Sequence, residues 1–421
     1  MRFAREAHWR LPLLVGLLVF LPVLWAWPAD IGGWRAAGIV AGWLAFGLWS
    51  ASLLLMLREA RLAAWLGGLE RMYRWHHALG SLAYPFVLMH PLLLAGDLLD
   101  ESSNAAWSLL SPGQAAWAEL SGWLALLMLV PGMGIAMQPG IAYRRWRAWH
   151  LLLVAPVMLA VLHLYALGLG YVLLGAPALA AFILLWRYLR SDCGLGAQPY
   201  IVADVAHPQP GVVEARLRPL SGVAGSALAK PGQFVLLAFG SGGGFHGCGE
   251  FHPFTLSAIE KGGQWRVAIK ALGTCSSHLQ ALEAGVPVRA QGPFGEFLGE
   301  AGRQPALWLA GGIGITPFMA RLRVPDSLAE TRLLFFVRSP TEVPYAEELD
   351  ALTRIHPTFS WEVCVAGPED DLACFLPEAA ALAGRDCYLC GPPAWMERMI
   401  DTLRQQGVSQ DRIYFERFEF R

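Results

Sequence analysis

The chain divides into two halves that differ in hydrophobic pattern. Residues 1–190 contain every long apolar run, whereas residues 200–421 mix apolar and polar positions as globular sequences do. A membrane-spanning helix needs about 20 predominantly apolar residues. Runs of this kind predict six spans, near 11–28, 34–57, 75–96, 119–137, 149–170 and 171–189. The pattern therefore predicts a six-helix membrane domain followed by a globular part.

The pattern of the globular part changes near Pro305. Before it, alternating segments such as YIVADVA, VVEARLRPL, QFVLLAF and WRVAIKAL predict the strands of a small antiparallel β-barrel. After it, strands such as PALWLA and RLLFFVRS alternate with helical segments, which is typical of a doubly wound α/β sheet. The predicted fold is a multidomain membrane protein with domains at 1–190, 198–302 and 303–421.

Charge and cysteine content restrict the partners and the topology. The net charge of −1 argues against a nucleic-acid partner. Twelve arginines of the first 190 residues fall on one side of the six-span arrangement and only Arg35 falls on the other. The positive-inside rule therefore places both chain ends in the cytoplasm. All seven cysteines follow the last apolar run without a secreted framework, which predicts free thiols in a reducing compartment.

Two of the predicted spans carry several histidines. The third has His76, His77 and His90, and the fifth has His150 and His163. Ionisable side chains within a membrane are costly and usually mark function. Both spans run outward, so His76 and His150 lie near the inner face, and His90 and His163 lie roughly 20 Å further out. Two levels with two imidazoles each predict two stacked bis-histidine haems.

Helical geometry tests this pairing with a mixed result. On an ideal helix His76 and His90 differ by about 40° and share a face, whereas His150 and His163 differ by about 140°. Pro156 lies between the latter two and is placed to alter the winding. His77 and His90 are also 13 residues apart and differ by the same angle of about 140° around the helix, so His76 is the predicted ligand. The alternative is a structural role, with His163 bonding a neighbouring helix.

Two motifs in the α/β region favour nucleotide binding. Gly311-Gly312-Ile313-Gly314-Ile315-Thr316-Pro317 follows a strand and opens a helix, where backbone N–H groups can meet a pyrophosphate. It departs from the GxGxxG fingerprint, and a tight packing turn is the alternative. Cys387 and Cys390 have CxxC spacing, but they lie on a strand, so we do not expect a redox pair. Cys390 ends that strand beside a Gly-Pro-Pro turn, in position to contact a nicotinamide.

The motifs together resemble a known superfamily. They are HHALG with His90 fourteen residues after His76, His150 with His163, HPFTLS, GPFG, GGIGITPF, CGPP and a C-terminal aromatic tail. Over nearly the whole chain this set resembles the ferric reductase and NADPH oxidase superfamily, especially its bacterial, calcium-independent members, with a ferredoxin-NADP reductase-like C-terminal module. The resemblance implies a multi-pass protein of the bacterial inner membrane whose reductase domains are cytoplasmic.

The resemblance also implies an activity and its cofactors. The expected protein is an NAD(P)H oxidase or ferric-chelate reductase-like enzyme. It would move electrons from NADPH, with NADH possible, through FAD and two b-type haems to an outer acceptor. The haem ligands would be His76, His90, His150 and His163. The residues expected to bind FAD are His252 at the phosphates, Pro253, Phe254 and Thr255 at the flavin, and Gly273, Thr274 and Ser276 at the pyrophosphate.

Further roles concern the nicotinamide nucleotide. The residues expected to hold it are Gly311, Gly312, Gly314 and Thr316, and those expected to border hydride transfer are Cys390, Gly391 and Pro392. Phe418 would shield the flavin, with Phe420 as the alternative. Arg338 ends a strand where the ribose would lie, and a basic residue there favours a 2′-phosphate and hence NADPH. An ordinary surface charge is the other interpretation of Arg338.

One departure from the family concerns the electron acceptor. Eukaryotic oxidases carry another histidine one turn beyond the outer ligand of span three, and this chain has Leu94 at that position. They also carry an arginine within span two, and this chain has no arginine there after Arg35. Oxygen, ferric iron, a quinone or a periplasmic redox protein therefore stay open as acceptors. Two alternatives remain beside an oxidase or reductase, namely an electron conduit to a periplasmic protein and a non-enzymatic haem and flavin sensor.

Overall fold

The computed structural model describes residues 10–25, 27, 31–57, 59–138, 140–141, 143–168, 182–183, 185–220, 229–299, 301–341 and 343–416. The chain forms two compact units. We call them the helical unit, which covers residues 4–58 and 71–188, and the barrel–sheet unit, which covers 59–70 and 189–419. Each is treated separately below, within the described residues.

Four helical segments of the described part are long and apolar enough to cross a membrane. They are Gly33–Leu54, Leu69–Leu98, Trp117–Met137 and Arg145–Ala166, which correspond to predicted spans two to five. The first predicted span contains a helix of 16 residues, Arg10–Trp25. Most of the sixth, residues 171–181 and 184, lies outside the described residues. Four spans are therefore found, and the total of six stays a prediction.

The helices of the first 168 residues are numbered in chain order. They are α1 Arg10–Trp25, α2 Gly33–Leu54, α3 Ala60–Leu66, α4 Leu69–Leu98, α5 Ser103–Leu110, α6 Trp117–Met137, α7 Tyr143–Leu151 and α8 Val154–Ala166. In the helical unit α1 packs on α2, and α6 packs along α8. Trp43 and Phe46 of α2 are buried against Val161 and Leu164 of α8. Large apolar side chains thus join the second and fifth spans.

The fifth span is divided rather than continuous. A turn at Leu152 and Leu153 separates α7 from α8 and ends three residues before Pro156 of α8. Leu152 N–H, Leu153 N–H and Ala155 N–H each bond the carbonyl three residues back, at 3.1, 3.1 and 3.0 Å. Such 3₁₀-type turns wind about 20° more per residue than an α-helix. The extra winding closes part of the gap of about 140° expected between His150 and His163.

A closed antiparallel barrel forms the first half of the barrel–sheet unit. Its strands are β1 Gln198–Gln209, β2 Val212–Pro219, β3 Phe234–Phe239, β4 His252–Glu260, β5 Gln264–Lys270 and β6 Pro287–Phe294. Their order around the barrel is β1-β2-β5-β4-β3-β6. Tyr200 stacks on Trp265 in the interior with ring centroids 4.6 Å apart. A short helix, α9 Thr274–His278, follows β5. The predicted antiparallel barrel is confirmed.

A five-stranded parallel sheet forms the second half. Its strands are β7 Ala306–Gly311, β8 Thr331–Val337, β9 Phe359–Val365, β10 Asp386–Cys390 and β11 Ile413–Phe415, in the order β11-β10-β7-β8-β9. The accompanying helices are α10 Thr316–Leu322, α11 Ala346–Ile355, α12 Ala379–Leu382 and α13 Pro393–Gln405. The strand order reverses between β7 and β10, and ligands of doubly wound sheets bind at the carboxyl ends of strands at such a point.

The CxxC residues face opposite sides of this sheet. Cys387 is buried in the apolar cluster that contains Met399, and Cys390 is buried in the cluster that contains Trp308. Both thiols are free. Because successive side chains of a strand alternate in direction, two cysteines three residues apart diverge. The expectation that they are not a redox pair agrees with this geometry.

A buried polar network joins the barrel to the sheet. Arg323, just after α10, donates from Nη1 to Glu214 Oε1 on β2 at 3.1 Å and to the Ser257 carbonyl on β4 at 3.0 Å. Its Nε and Nη2 donate to the two carboxylate oxygens of Glu348, each at 2.7 Å. Glu214 Oε1 also accepts from Ser257 Oγ at 2.6 Å and from the Tyr345 hydroxyl at 3.1 Å. One guanidinium thus pairs with two carboxylates between the two halves.

Candidate functional site

The helical unit brings four histidines together as two pairs. His76 and His150 have ring centroids 5.9 Å apart with ring planes at 81°. His90 and His163 have centroids 6.4 Å apart with planes at 77°. His77 is exposed and lies edge-on against His76. The pairing is the one expected from the sequence, and it places His77 outside both pairs.

Three of the four rings are oriented by hydrogen bonds from Nδ1 to backbone carbonyls. His90 Nδ1 donates to Gly38 O at 2.7 Å, and His163 Nδ1 donates to Ala118 O at 2.8 Å. His76 Nδ1 lies 3.0 Å from Ser52 O and 2.8 Å from Ser52 Oγ. A carbonyl can only accept, so the proton of each neutral ring resides on Nδ1 and the lone pair on Nε2. Metal-binding histidines in proteins are oriented in this way.

Glycines make room for the two outer rings. A Cβ at Gly42 would lie 2.8 Å from His90 Nδ1, and a Cβ at Gly122 would lie 3.0 Å from His163 Nδ1. Each glycine is four residues after the residue whose carbonyl accepts from the same ring, namely Gly38 and Ala118. Spacing by four places both on one helix face. The two outer histidines are therefore held by the same arrangement on α2 and on α6.

The fourth ring, that of His150, is held by stacking instead. Its plane lies at 12° to the Trp146 ring with centroids 4.8 Å apart. Trp146 is fixed in turn, because its Nε1 donates to Ala136 O at 3.0 Å. Within the described residues His150 Nδ1 is buried without a hydrogen-bond partner. A ring packed between an indole and His76 has little rotational freedom.

The glycine turns of the sheet meet at the carboxyl ends of β7 and β10. A Cβ at Gly314 would lie 2.1 Å from the Cys390 carbonyl oxygen, and a Cβ at Gly391 would lie 3.1 Å from Gly311 Cα. Gly312 is different, because its φ is +55° and the nearest atom to a Cβ would be Lys270 Nζ at 4.0 Å. Gly314 is thus needed for packing, whereas Gly312 faces open space beside a cation.

Other residues predicted to hold the nicotinamide nucleotide lie along the same edge of the sheet, which is formed by the carboxyl ends of its strands. Pro392 precedes α13, and a Cβ on Gly311 would lie 3.0 Å from its Cδ. Thr316 opens α10 and is buried, with Oγ1 donating to Ile313 O at 3.1 Å. Arg338 is exposed directly after β8, the strand next to β7. A charge at that strand end is accessible to a ligand bound on the edge.

A buried carboxyl accompanies the buried thiol at this edge. Burial raises the pKa of Cys390, and the nearby Glu416 raises it further. Burial likewise raises the pKa of Glu416 well above its ordinary value. Glu416 follows β11, the neighbour of β10, and its Oε1 would lie 2.8 Å from a Cβ on Gly295. Burial therefore favours the neutral, protonated form of both groups.

The predicted flavin segment lies on β4. His252 begins the strand, and Thr255 is buried opposite Phe234 of β3. Pro253 pairs with Leu236, and Phe254 makes an edge contact with Phe239 at 6.0 Å. Burial lowers the pKa of His252, and Glu250 opposes that shift. His252 is therefore neutral at neutral pH, and the expectation that it faces the FAD phosphates stays a prediction.

The predicted pyrophosphate segment lies at the start of α9. Ser276 Oγ accepts from the backbone N–H groups of Leu272 and Gly273, at 3.0 and 2.9 Å. Thr274 is exposed, and a Cβ on Gly273 would meet no atom within 4 Å. Ser276 therefore stabilises the turn itself. Gly273 and Thr274 are the parts of the segment that remain open to a ligand.

Comparisons with known proteins agree with the two-part organisation. Residues 41–162 match the family described as "Ferric reductase like transmembrane component". The match includes three of the four paired histidines and ends one residue before His163. Residues 41–162 are therefore similar to a ferric reductase transmembrane component, and the C-terminal half is similar to reductase modules of the ferredoxin reductase type.

Relatives of the ferric reductase-like chain include electron-transfer proteins. It is 30% identical over 204 residues to the toluate 1,2-dioxygenase electron transfer component of Pseudomonas putida, covering 45% of this chain and 58% of the relative. It is 29% identical over 164 residues to the F component of the Na(+)-translocating NADH-quinone reductase of Haemophilus influenzae, covering 35% of this chain and 40% of the relative. The chain thus spans about half the length of these relatives.

Similar solved structures cover about half of the ferric reductase-like chain. The FAD/NAD-binding domain of a Vibrio cholerae nitric oxide dioxygenase is 23% identical with a TM-score of 0.43, covering 52% of this chain and 97% of that one. A Neisseria gonorrhoeae ferredoxin NADP+ reductase with FAD and NADP is 17% identical with a TM-score of 0.43, covering 52% and 98%.

Several contacts of the ferric reductase-like chain were missed by sequence reasoning. Gly42 and Gly122 are small residues at four-residue spacing from Gly38 and Ala118, a pattern typical of close helix contacts in membranes. That spacing was the available signal. Glu416 could have been noticed as the acidic residue of the segment IYFERF, which contains three aromatic residues. Phe418 and Phe420, predicted to cover the flavin, lie outside the described residues.

Proposed function

We propose that the chain is a transmembrane oxidoreductase. It would take electrons from cytosolic NAD(P)H and deliver them to an acceptor on the outer side, with FAD and two b-type haems as resident cofactors. The observation that supports it best is the pair of histidine pairs. Two imidazoles pack in an edge arrangement at each of two levels, which are set by His76 and His90 of α4, 14 residues or about 21 Å apart along the helix. A structural role explains one such pair more easily than two aligned pairs.

The histidine pairs pass a test of fit for a bis-histidine metal centre. Two imidazoles that bind one metal from opposite sides, with metal–nitrogen bonds of about 2.0 Å, have ring centroids roughly 6 Å apart. The observed centroid separations are 5.9 and 6.4 Å. For His76, His90 and His163 the Nδ1 bonds leave the Nε2 lone pair free for a metal. The donor set is neutral imidazole, which suits haem iron.

The barrel–sheet unit offers matching positions for the two nucleotides. Phe254 and Thr255 on β4, with Gly273 and Thr274 at α9, would hold FAD. Gly312, beside Lys270, would admit the nicotinamide dinucleotide to the edge formed by β7 and β10. The exposed guanidinium of Arg338 would pair with a 2′-phosphate, which favours NADPH over NADH. When bound, FAD would convert a two-electron donor into single electrons and the haems would carry single electrons.

The residues of the edge itself have defined tasks in this proposal. Gly314 and Gly391 let the turns after β7 and β10 touch, which fixes the Cys390 backbone. Cys390 presents a neutral thiol, which excludes charge from the position where a nicotinamide ring would lie. Burial of Glu416 near that thiol favours the protonated form of its carboxyl group. Phe418, which lies outside the described residues, is proposed to cover the flavin.

The proposed setting is the bacterial inner membrane. The arginine distribution supports a cytoplasmic barrel–sheet unit and an outward direction for α4. Bulky apolar side chains on the outside of the helices, including Leu92 and Leu127, are exposed in the isolated chain and would meet lipid. The partners are accordingly NAD(P)H, membrane lipid and an outer acceptor.

One contact bears on the acceptor. The position one turn beyond His90 is Leu94, whose Cδ2 would lie 2.7 Å from a Cβ on Gly38. Leu94 therefore packs an apolar side chain against α2, where the oxidases named above carry a histidine. This favours, as a second candidate, delivery to ferric iron, a quinone or a periplasmic redox protein over a dedicated oxygen site.

The proposal is tested by spectroscopy of the purified full chain. The wild type should contain two haems per chain and be reduced by NADPH without oxygen. His163→Leu should contain one haem and deliver no electrons to external acceptors. His77→Leu is the matched control and should retain both haems, because His77 is outside the pairs. Two haems in His163→Leu would refute the ligand assignment, and a wild type that NADPH leaves oxidised would refute the activity.

Adding the acceptors afterwards ranks them. Oxygen, a ferric chelate and a quinone are each mixed with the reduced protein, and the rate of haem reoxidation is recorded. The Leu94 contact predicts that oxygen is not the fastest of the three.

A further inference from the structure

Three potential metal ligands from separate segments converge on the barrel. Cys248 lies in the loop after β3, His252 begins β4 and Cys275 lies in α9. One ligand atom from each, two Sγ and one imidazole nitrogen, all lie within 4.8 Å of one another. The Cys248 Sγ to His252 Nε2 distance is 3.4 Å. Neither cysteine belongs to the residues expected to bind FAD, and His252 is the one of the three with an expected role there.

The loop that carries Cys248 is anchored, although its composition, GSGGGFHGCGE, predicts flexibility. Gly242 and Phe245 form a β-bridge, and Phe245 is buried. Gly249 N–H donates to Phe239 O at 3.2 Å. A Cβ at Gly247 would lie 2.0 Å from the same carbonyl oxygen, so only glycine permits this approach. Cys248 is therefore held between two glycines that fix the loop to the end of β3.

The helix that carries Cys275 is fastened to the same loop. His278 Nε2 donates to His246 O at 2.7 Å, and the His278 ring stacks on Phe245 with centroids 5.1 Å apart. His252 is fixed independently by the pairing of β4 with β3. The two thiols and the imidazole thus approach one another through backbone contacts that do not involve the ligand atoms themselves. A site arranged in this way loses little entropy when it binds an ion.

We propose that Cys248, His252 and Cys275 bind one zinc ion. Two thiolates and one imidazole are a donor set that selects zinc over magnesium, calcium or manganese, which prefer oxygen ligands. The fourth position would be taken by water, because Cys248 is exposed and leaves an entry path. Binding converts two thiols to thiolates and releases two protons to the solvent, with no change of oxidation state.

A disulfide between the two thiols is the rival use of the same geometry. It needs an oxidant, and the predicted cytoplasmic location keeps thiols reduced. An experiment in the presence of a phosphine reductant and without oxygen prevents the disulfide from forming. Metal binding is then the property that is tested. Neither measurement below requires nicotinamide or electron transfer, so the zinc site and the proposed function can fail separately.

The test is a metal analysis of the purified full chain carrying no histidine tag. After incubation with zinc and dialysis, the wild type should retain one zinc per chain. Cys248→Ser and Cys275→Ser should each weaken zinc binding by more than about 100-fold, because loss of an outer-shell partner alone costs 10–100-fold. Cys374→Ser is the matched control. It removes an exposed cysteine outside the cluster and should leave one zinc bound.

X-ray absorption at the zinc edge identifies the ligands even where a variant fails to fold. The expected wild-type spectrum has two sulfur and two lighter neighbours, one of them imidazole. A zinc shell without sulfur, no retained zinc in the wild type, or equal zinc in the wild type and in folded Cys248→Ser would each overturn the proposal.

Discussion

The buried network around Arg323 gives a quantitative test of how the barrel and the sheet are held together. Arg323→Met removes the guanidinium and keeps a side chain of similar length. Glu214, whose side chain is 8% exposed, then loses the guanidinium that donates to it at 3.1 Å. The hydroxyls of Ser257 and Tyr345 still donate to it, but the charge that offsets its desolvation is gone.

The expected loss of stability follows from the burial of the Glu214 carboxylate. Removing one partner of a buried ion pair destabilises by about 3–5 kcal/mol, because the remaining charge is uncompensated. For a domain of 150–250 residues each kcal/mol lowers the melting temperature by roughly 2–4 °C. We therefore expect Arg323→Met to lower the melting temperature of the barrel–sheet unit by about 6–20 °C.

An exposed ion pair in the same unit supplies the control. Arg332 and Glu362 lie on adjacent strands with side chains each 44% exposed and a nitrogen–oxygen distance of 2.7 Å. Such pairs contribute about 0–1 kcal/mol, so Arg332→Met should lower the melting temperature by only a few degrees. Scanning calorimetry of the full chain in detergent measures both variants under the same conditions.

A second variant separates lost charge balance from lost packing. If the unpaired carboxylate causes the loss, adding Glu214→Gln to Arg323→Met should recover a large part of it, a coupling that a double-mutant cycle measures. Equal melting temperatures for Arg323→Met and Arg332→Met, or no recovery in the double variant, would refute the reasoning.

Two further predictions concern the two candidate sites. Gly42→Ala places a Cβ 2.8 Å from His90 Nδ1, so the ring must move and the outer haem should be lost or bound weakly, as measured by haem content. Gly134→Ala, whose Cβ meets no atom within 4 Å, should retain both haems. The pKa of Glu416 is raised by burial, so the folded state keeps a proton that the unfolded chain releases above its ordinary pKa. Stability should therefore fall as pH rises through that window, by up to about 1.4 kcal/mol per pH unit. Glu416→Gln should flatten the decline in melting temperature as the pH rises above the ordinary glutamate pKa, and an unchanged slope would contradict this origin.

The strands and most of the spans could be predicted because their signals are local. The alternation in VVEARLRPL and the continuous apolar run in PALWLA depend only on which side chains meet the core. The resulting strands, β2 Val212–Pro219 and β7 Ala306–Gly311, lie within a residue or two of those segments. The division of the fifth span at Leu152 and Leu153 was not predicted, because a proline shows where winding can change and not how it changes.

The functional candidates divide in the same way. The four histidines could be chosen from residue type and spacing, because an ionisable side chain in a membrane span is costly enough to be informative. Their hydrogen-bond partners could not be chosen in this way. The carbonyls of Gly38 and Ala118 belong to helices 52 and 45 residues away in sequence. Glu416 and the cluster of Cys248, His252 and Cys275 likewise depend on which strands and loops become neighbours.

The sequence by itself therefore determined the two-part organisation, the barrel, the parallel sheet and the two levels of histidine, since each follows from periodicity and side-chain chemistry along one stretch of chain. Only the tertiary structure decided which ring nitrogen bears the proton, which glycines touch which rings, and which buried charge balances another. These properties arise from atoms that are far apart in sequence and a few ångströms apart in space, and no local pattern carries that information.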